Sequence, residues 1–226
     1  VFRSKKEENV LKGIRLFEPF SKEELGNICK IGGPTAIQGM VYCMISMVLT
    51  RMVAAFGAEA IATQRVGGQI ESVSWNTADG FAAALNAFVG QNYGAKKMDR
   101  VQKGYRISFW TVAIWGALIM LAFIIFPGPI AGVFFHEEKA MEIAISYLII
   151  IGFSEAFMCV ELMTIGALSG LGRTKLCSVI SITATSMRIP LAMVLSRTSL
   201  GLDGIWWALT LTSVAKGIIF YLTFRY

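Results

Sequence analysis

Long apolar blocks separated by short polar or glycine- and proline-containing stretches run through most of this 226-residue chain. An apolar helix needs about 20 residues to cross a bilayer, and several of these blocks reach that length. The pattern predicts an all-α polytopic membrane protein whose residues 31–226 form one six-helix transmembrane lobe. Its predicted spans cover about 31–55, 59–90, 105–126, 139–168, 176–197 and 203–224.

Residues 1–30 are charged and partly amphipathic, in contrast to the apolar blocks that follow. Ser21 followed by Glu24 matches a capping box, which indicates that a helix begins there and leads into the first span. We expect residues 1–30 to be a cytoplasmic connector. Gly32, Gly33 and Pro34 allow a bend before the first span.

The second predicted span is too long for a straight helix across the hydrocarbon core. Its 32 residues would measure about 48 Å, against a core of about 30 Å. A tilt, a protrusion beyond the bilayer, or a bend at Gly67-Gly68 or Gly80 would absorb the excess.

In the fifth span, Pro190 predicts an interruption.

A polar stripe follows one face of the second span. At 100° per residue, Arg65, Gln69, Ser72, Asn76 and Asp79 fall within about 80° of one another. Hydrogen bonds between membrane helices are individually modest, so helix packing alone is a poor reason for so long a stripe. The stripe predicts a helix that lines a wet cavity.

Composition agrees with a membrane protein. The chain is 55% hydrophobic and 16% charged, with a mean hydropathy of +0.60, whereas soluble domains carry about 25% charged residues. The alternative is an unusually apolar soluble bundle, which refolding into buffer without detergent would distinguish.

Basic residues lie in alternate loops. Of the 21 Lys and Arg residues, fifteen fall on one side of the predicted spans, three on the other and three inside spans. The positive-inside rule therefore places both ends in the cytoplasm, as expected for an even number of spans in the plasma (cytoplasmic) membrane. The same rule explains the net charge of +6, and no nucleic-acid partner is expected.

Ionisable residues inside predicted spans are candidates for function because burying a charge in a bilayer is costly. Glu155 and Glu161 are separated by about 240° on one helix and cannot face the same site; Glu161 lies deeper, so we prefer it as the cavity residue. The alternative for each charged residue is a buried ion-pair network that only fixes helix packing. The full set is Arg65, Glu71, Asp79, Glu155, Glu161, Arg188 and Lys216.

One polar cluster is the resulting hypothesis. It consists of Asp79, Glu161, Arg188 and Lys216, with Gln69, Asn76 and Gln38 lining the cavity. The chain has no serine-histidine-aspartate set, phosphate-cradling loop or metal-ligand spacing, and its four cysteines lie in or beside apolar segments. We therefore expect neither an enzyme nor a bound cofactor.

Several blocks of sequence resemble one transporter family. They are GAEAIA at 57–62, VGGQIE at 66–71, FVGQNYGA at 88–95, GALSGLGRT at 166–174, RIP at 188–190 and GIWWA at 204–208. In these blocks and over nearly all of its length, the chain is similar to the C-terminal half of a MATE (multidrug and toxic compound extrusion) transporter. The resemblance implies two six-helix lobes and export of organic, often cationic, small molecules in exchange for Na⁺ or H⁺. The partner of this lobe would be an N-terminal six-helix lobe in the same bilayer.

The resemblance leaves the coupling ion open. Some bacterial members carry a glutamate a little after the proline of the first span of this lobe, but Pro34 to Tyr42 contains no acid. Glu155 or Glu161 corresponds only loosely to the second acid those members use. A Na⁺ site near Asp79 or Glu161 stays a candidate. The alternatives are a flippase of lipid-linked saccharides with a related fold, and a non-transporting membrane scaffold.

Overall fold

The structure is a computed structural model that describes residues 21–225, except for the side chains of Asn27 and Ile31. Residues 1–20, most of the predicted connector, lie outside the described residues. The described chain is helical. Its helices are α1 (Lys22–Ala54), α2 (Ala58–Gly94), α3 (Met98–Ile125), α4 (Pro127–Gly132), α5 (Glu138–Gly170), α6 (Thr174–Ser186), α7 (Arg188–Leu195) and α8 (Leu202–Arg225).

Five described segments are long and apolar enough to cross a membrane. They are Gly32–Ala54, Met98–Ile125, Glu138–Gly170, Thr174–Leu195 and Leu202–Arg225. The 37-residue α2 is more polar, yet it packs along α5, the central helix of the bundle. This arrangement confirms an all-α polytopic membrane protein.

Local sequence signals explain where two helices begin and break. The predicted capping box is present, because the Glu24 amide donates to Ser21 Oγ at 3.1 Å and the Ser21 amide donates to Glu24 Oε2 at 3.4 Å. Between α6 and α7 the break falls at Met187, just before Pro190. A proline ring clashes with the carbonyl four residues earlier, and here that residue is Ser186, the last of α6.

Helices α1 and α2 are not interrupted at the glycines that allow a bend. Helix α1 continues through Gly32, Gly33 and Pro34, since a membrane helix tolerates a proline where neighbouring groups satisfy the freed carbonyl. Helix α2 continues through Gly67 and Gly80. Gly67 serves packing instead, because a Cβ there would lie 2.2 Å from Cε1 of Tyr147.

A seam of small residues brings α2 and α5 together. A Cβ on Gly166 would lie 2.4 Å from the Ala82 carbonyl oxygen, and one on Gly170 would lie 2.6 Å from the Asn86 carbonyl oxygen. The sequence spacing Gly-x-x-x-Gly at these positions therefore marks a close helix crossing, as in other membrane helix pairs. The two helices run parallel, since later residues of α5 meet later residues of α2.

Substituting Gly166 tests this seam. We expect Gly166→Ala to destabilise the complete protein by about 1–3 kcal/mol, because overpacking here meets backbone that cannot move aside. Thermal unfolding in detergent would measure the loss. Gly68→Ala is the matched control, since nothing lies within 4 Å of a Cβ at that position. Equal melting temperatures for the two variants would contradict the close crossing.

Helix α3 presents an apolar stripe to its surroundings. Trp110, Ile114, Leu118, Leu121 and Ile125 are all about half exposed or more, at spacings that place them on one helical face. Such a face suits contact with lipid. Helix α3 therefore lies outside α5, while the polar interior is built from the other helices.

Candidate functional site

A cavity of about 390 Å³ is lined by residues of α1, α2, α5, α6, α7 and α8. Its volume falls in the range of small-molecule sites. Four ionisable side chains and one amide line it together with apolar and hydroxyl groups. They are Glu71, Glu161, Arg188, Lys216 and Gln38.

Lys216 and Glu161 form an ion pair in this cavity. The Lys216 Nζ donates to Glu161 Oε1 at 2.7 Å, and both side chains are buried. Helix α8 supplies the lysine and α5 the glutamate, so the pair ties the two most buried helices together. Two charges taken out of water are stable only when geometry and neighbours compensate for their lost hydration.

Glu71 supplies the second carboxylate of the cavity, from α2. It accepts a hydrogen bond from the hydroxyl of Tyr147, which α5 positions. The ring of Tyr147 is in turn held by the absence of a side chain at Gly67 and by an edge contact with Trp206 at 4.9 Å between ring centroids. Tyr147 therefore fixes the Glu71 carboxylate, and Gly67 and Trp206 fix the ring of Tyr147.

Arg188 begins α7, at the break in the fifth span, and is 8% exposed. Its Nε donates to Thr212 Oγ1 at 3.1 Å and its Nη2 to Ser213 Oγ at 2.8 Å. Within residues 21–225, no carboxylate lies within 4 Å of its guanidinium nitrogens. It is thus held by neutral hydroxyls while the lysine beside it is paired.

The α2 polar stripe does not line this cavity. Arg65, Gln69, Asn76 and Asp79 are exposed, and the Ser72 hydroxyl donates to the Gln69 carbonyl oxygen at 2.6 Å. The buried face of α2, which includes Ser74 and Ala78, lies on the opposite side of the helix. Asp79 is therefore not beside Glu161, Arg188 and Lys216, with which the sequence grouped it; its role and those of Gln69, Asn76 and Arg65 stay predictions.

Glu155 is not among the residues that line the cavity. It is fully buried, and neither carboxylate oxygen has a hydrogen-bond partner among the described residues. It shares a face of α5 with Cys159, whose sulfur is 3.3 Å from the Ser74 hydroxyl. As the helical spacing predicts, Glu155 does not share the cavity of Glu161.

No group of three or more His, Cys, Asp or Glu side chains in the described part of the chain is placed to hold a metal ion. A Na⁺ site near Asp79 or Glu161 therefore stays a prediction.

Sequence reasoning missed several residues of the cavity. Ser181 and Thr185 precede the candidate Arg188 at helical spacing on one face, so their pattern was available. Tyr42 and Trp75 read as ordinary apolar positions, and Tyr147 is recognisable only from its contact with Glu71. Long-range contacts of this kind carry no local signal.

Comparison with known proteins identifies the family. Residues 34–194 match the MatE family. The chain is 30% identical over 185 residues to the probable multidrug resistance protein NorM of Thermotoga maritima, covering 79% of this chain and 39% of that protein. It is 26% identical over 197 residues to the probable multidrug resistance protein YoeA of Bacillus subtilis, covering 86% and 42%.

The fold agrees with solved structures. The MATE transporter VcmN of Vibrio cholerae, in its bent form, superimposes with a TM-score of 0.83 at 20% identity, over 90% of this chain and 46% of that one. The chain thus spans less than half the length of these relatives. The matched family, the curated relatives and the fold agree, and the chain belongs to the MATE family.

Proposed function

We propose that this chain forms the C-terminal lobe of a secondary active transporter that exports organic, often cationic, compounds in exchange for Na⁺ or H⁺ by alternating access. The observation that carries this proposal is the cavity, where paired and unpaired charges meet apolar walls inside a membrane-spanning bundle. Buried charge of this kind is expensive and typical of substrate or ion pathways.

The exposed stripe of α2 supports a second lobe as partner. Arg65, Gln69, Asn76 and Asp79 lie on the face opposite the core of this lobe, where contact with lipid would be costly. The relatives are about twice as long as this chain. In the proposed assembly, an N-terminal six-helix lobe faces this stripe across a central cleft.

Ion exchange is proposed to act on the Lys216–Glu161 pair. A proton or Na⁺ bound to Glu161 would compete with Lys216 for the carboxylate, now 2.7 Å from the lysine nitrogen. Once released, the lysine favours a different arrangement of α8 against α5. Binding of the ion would therefore change the packing of α8 against α5 through the Lys216–Glu161 contact. Alternating access requires such a coupling between ion binding and conformation.

Basic loops support an orientation with both ends in the cytoplasm. The α2–α3 turn carries Lys96 and Lys97, the α5–α6 turn carries Arg173, and Lys175 follows in the first turn of α6; all four are exposed. Because α2 and α5 run parallel, their C-terminal ends emerge on the same side. The positive-inside rule assigns that side to the cytoplasm, with the protein in the plasma membrane.

Efflux by cells tests the proposal. The complete protein, expressed in a host that lacks its own efflux pumps, should lower the accumulation of ethidium, and collapse of the ion gradient should abolish the effect. Glu161→Gln, expressed at the same level, is expected to lose it. Equal accumulation with and without the protein, across several organic cations, would reject the transport function.

A further inference from the structure

The donors of Arg188 are only partly used. A guanidinium carries five N–H groups in a planar fork, and two of its nitrogens donate here to the hydroxyls of Thr212 and Ser213. Both acceptors are neutral, so they orient the side chain without cancelling its charge. Arg188 therefore stands in the cavity as a fixed cation that is nine-tenths buried.

The two carboxylates of the cavity are already engaged. Glu161 accepts from Lys216 at 2.7 Å, and Glu71 accepts from the Tyr147 hydroxyl. A buried cation without a carboxylate partner is unfavourable unless water or a ligand supplies negative charge. The described residues supply none to Arg188 within ion-pair distance.

One wall of the cavity prepares a second polar contact near this cation. Ser181, Thr185 and Arg188 follow one another at about one-turn spacing, and all three line the cavity. The Ser181 hydroxyl is buried and has no hydrogen-bond partner among the described residues. A free hydroxyl and a guanidinium on one face match the oxygens of a carboxylate.

We propose that Arg188 binds the carboxylate of zwitterionic substrates in this cavity and determines the specificity for them. The body of such a substrate contacts Leu162, Ile165 and Trp75 on the apolar walls. Its cationic group faces Glu71, whose second oxygen accepts no hydrogen bond from the described residues. The inference rests on the proposed function, since it names the class of compound that the cavity takes.

A matched pair of dyes tests this site: a rhodamine with a free carboxylate and the methyl ester of the same dye. Both carry the cationic ring system, and the ester replaces the negative carboxylate by a neutral group that is larger by one methyl. Binding to the purified complete protein in detergent is followed by fluorescence anisotropy. A charge-assisted hydrogen bond corresponds to a preference of about tenfold or more for the free acid.

Arg188→Gln is expected to remove this preference, and Arg188→Lys to reduce it several-fold, because a lysine keeps the charge without the fork. Arg197→Gln is the control; it removes an exposed charge just past the end of α7 and outside the cavity, and it should bind as the wild type does. If size-exclusion profiles show that Arg188→Gln does not fold, the preference of Arg188→Lys for the free acid decides whether the proposal holds.

A wild-type protein without preference for the free acid, or an Arg188→Lys variant with an unchanged preference, overturns the proposal. The proposed function is judged separately in vesicles that contain the complete protein. Arg188-dependent binding without transport of either dye would retain the carboxylate site and reject export. Transport of both dyes with no effect of Arg188 on their ratio would retain export and reject the site.

Discussion

Glu161→Gln is expected to destabilise the complete transporter by about 3–5 kcal/mol and to abolish efflux. The substitution leaves Lys216 in a buried position without its partner, and a buried charge that has lost its partner is strongly destabilising. The lysine is 7% exposed and has no second ion pair among the described residues. Thermal unfolding in detergent and dye efflux from vesicles would measure the two losses.

The double variant Glu161→Gln/Lys216→Met separates structure from coupling. Removing both charges should recover most of the lost stability, because replacing a buried pair by apolar groups is often neutral or stabilising. Efflux should stay absent, since the site for the exchanged ion is gone. A double variant that transports at the wild-type rate would show that the pair only packs α5 against α8.

Asp79→Asn is expected to abolish efflux without lowering the melting temperature. Asp79 is exposed on the α2 stripe and forms no hydrogen bond or ion pair with other described residues. Neutralising it therefore costs this lobe nothing in packing. In the proposed assembly, it faces the central cleft, where a carboxylate attracts the cationic group of a substrate or the coupling ion.

Thr77→Val is the matched control for Asp79→Asn. Thr77 lies two residues away on α2, off the stripe, and its hydroxyl donates at 2.8 Å to the Val73 carbonyl oxygen of its own helix. We expect this variant to transport normally. Normal efflux by Asp79→Asn would remove Asp79 from the site, and a lowered melting temperature would mean that it has a structural partner.

Local sequence signals predicted where one helix begins and where another is interrupted. Ser21 and Glu24 predicted the start of α1, and Pro190 predicted the interruption of the fifth span. The glycines were less informative, because glycine in a membrane helix serves close packing as readily as bending. At Gly67, only the position of the Tyr147 ring distinguishes the two roles.

The cavity could be predicted only in part. Glu71, Glu161, Arg188, Lys216 and Gln38 were candidates because each interrupts an apolar segment, and the structure places all five in one cavity. Which face of α2 meets that cavity could not be predicted, since the centre of the stripe and Glu71 differ by about 120° around the helix. The packing of α2 on α5 determines which face of α2 meets the cavity.

The rival functions make different demands on the cavity. A flippase of lipid-linked saccharides handles a large anionic headgroup, whereas this cavity holds two acidic and two basic side chains in about 390 Å³. A scaffold needs no cavity at all. Under either alternative, an imposed ion gradient does not drive organic cations across the membrane.

Vesicles that contain the purified complete protein, loaded with a cationic dye and placed in opposing Na⁺ or H⁺ gradients, test the claim that the protein is an ion-coupled antiporter. An antiporter should move the dye against its own gradient when one of the two ions flows the other way, and should stop when an ionophore dissipates that ion. Dye movement that is independent of both gradients, or absent while the protein remains folded, would contradict the claim.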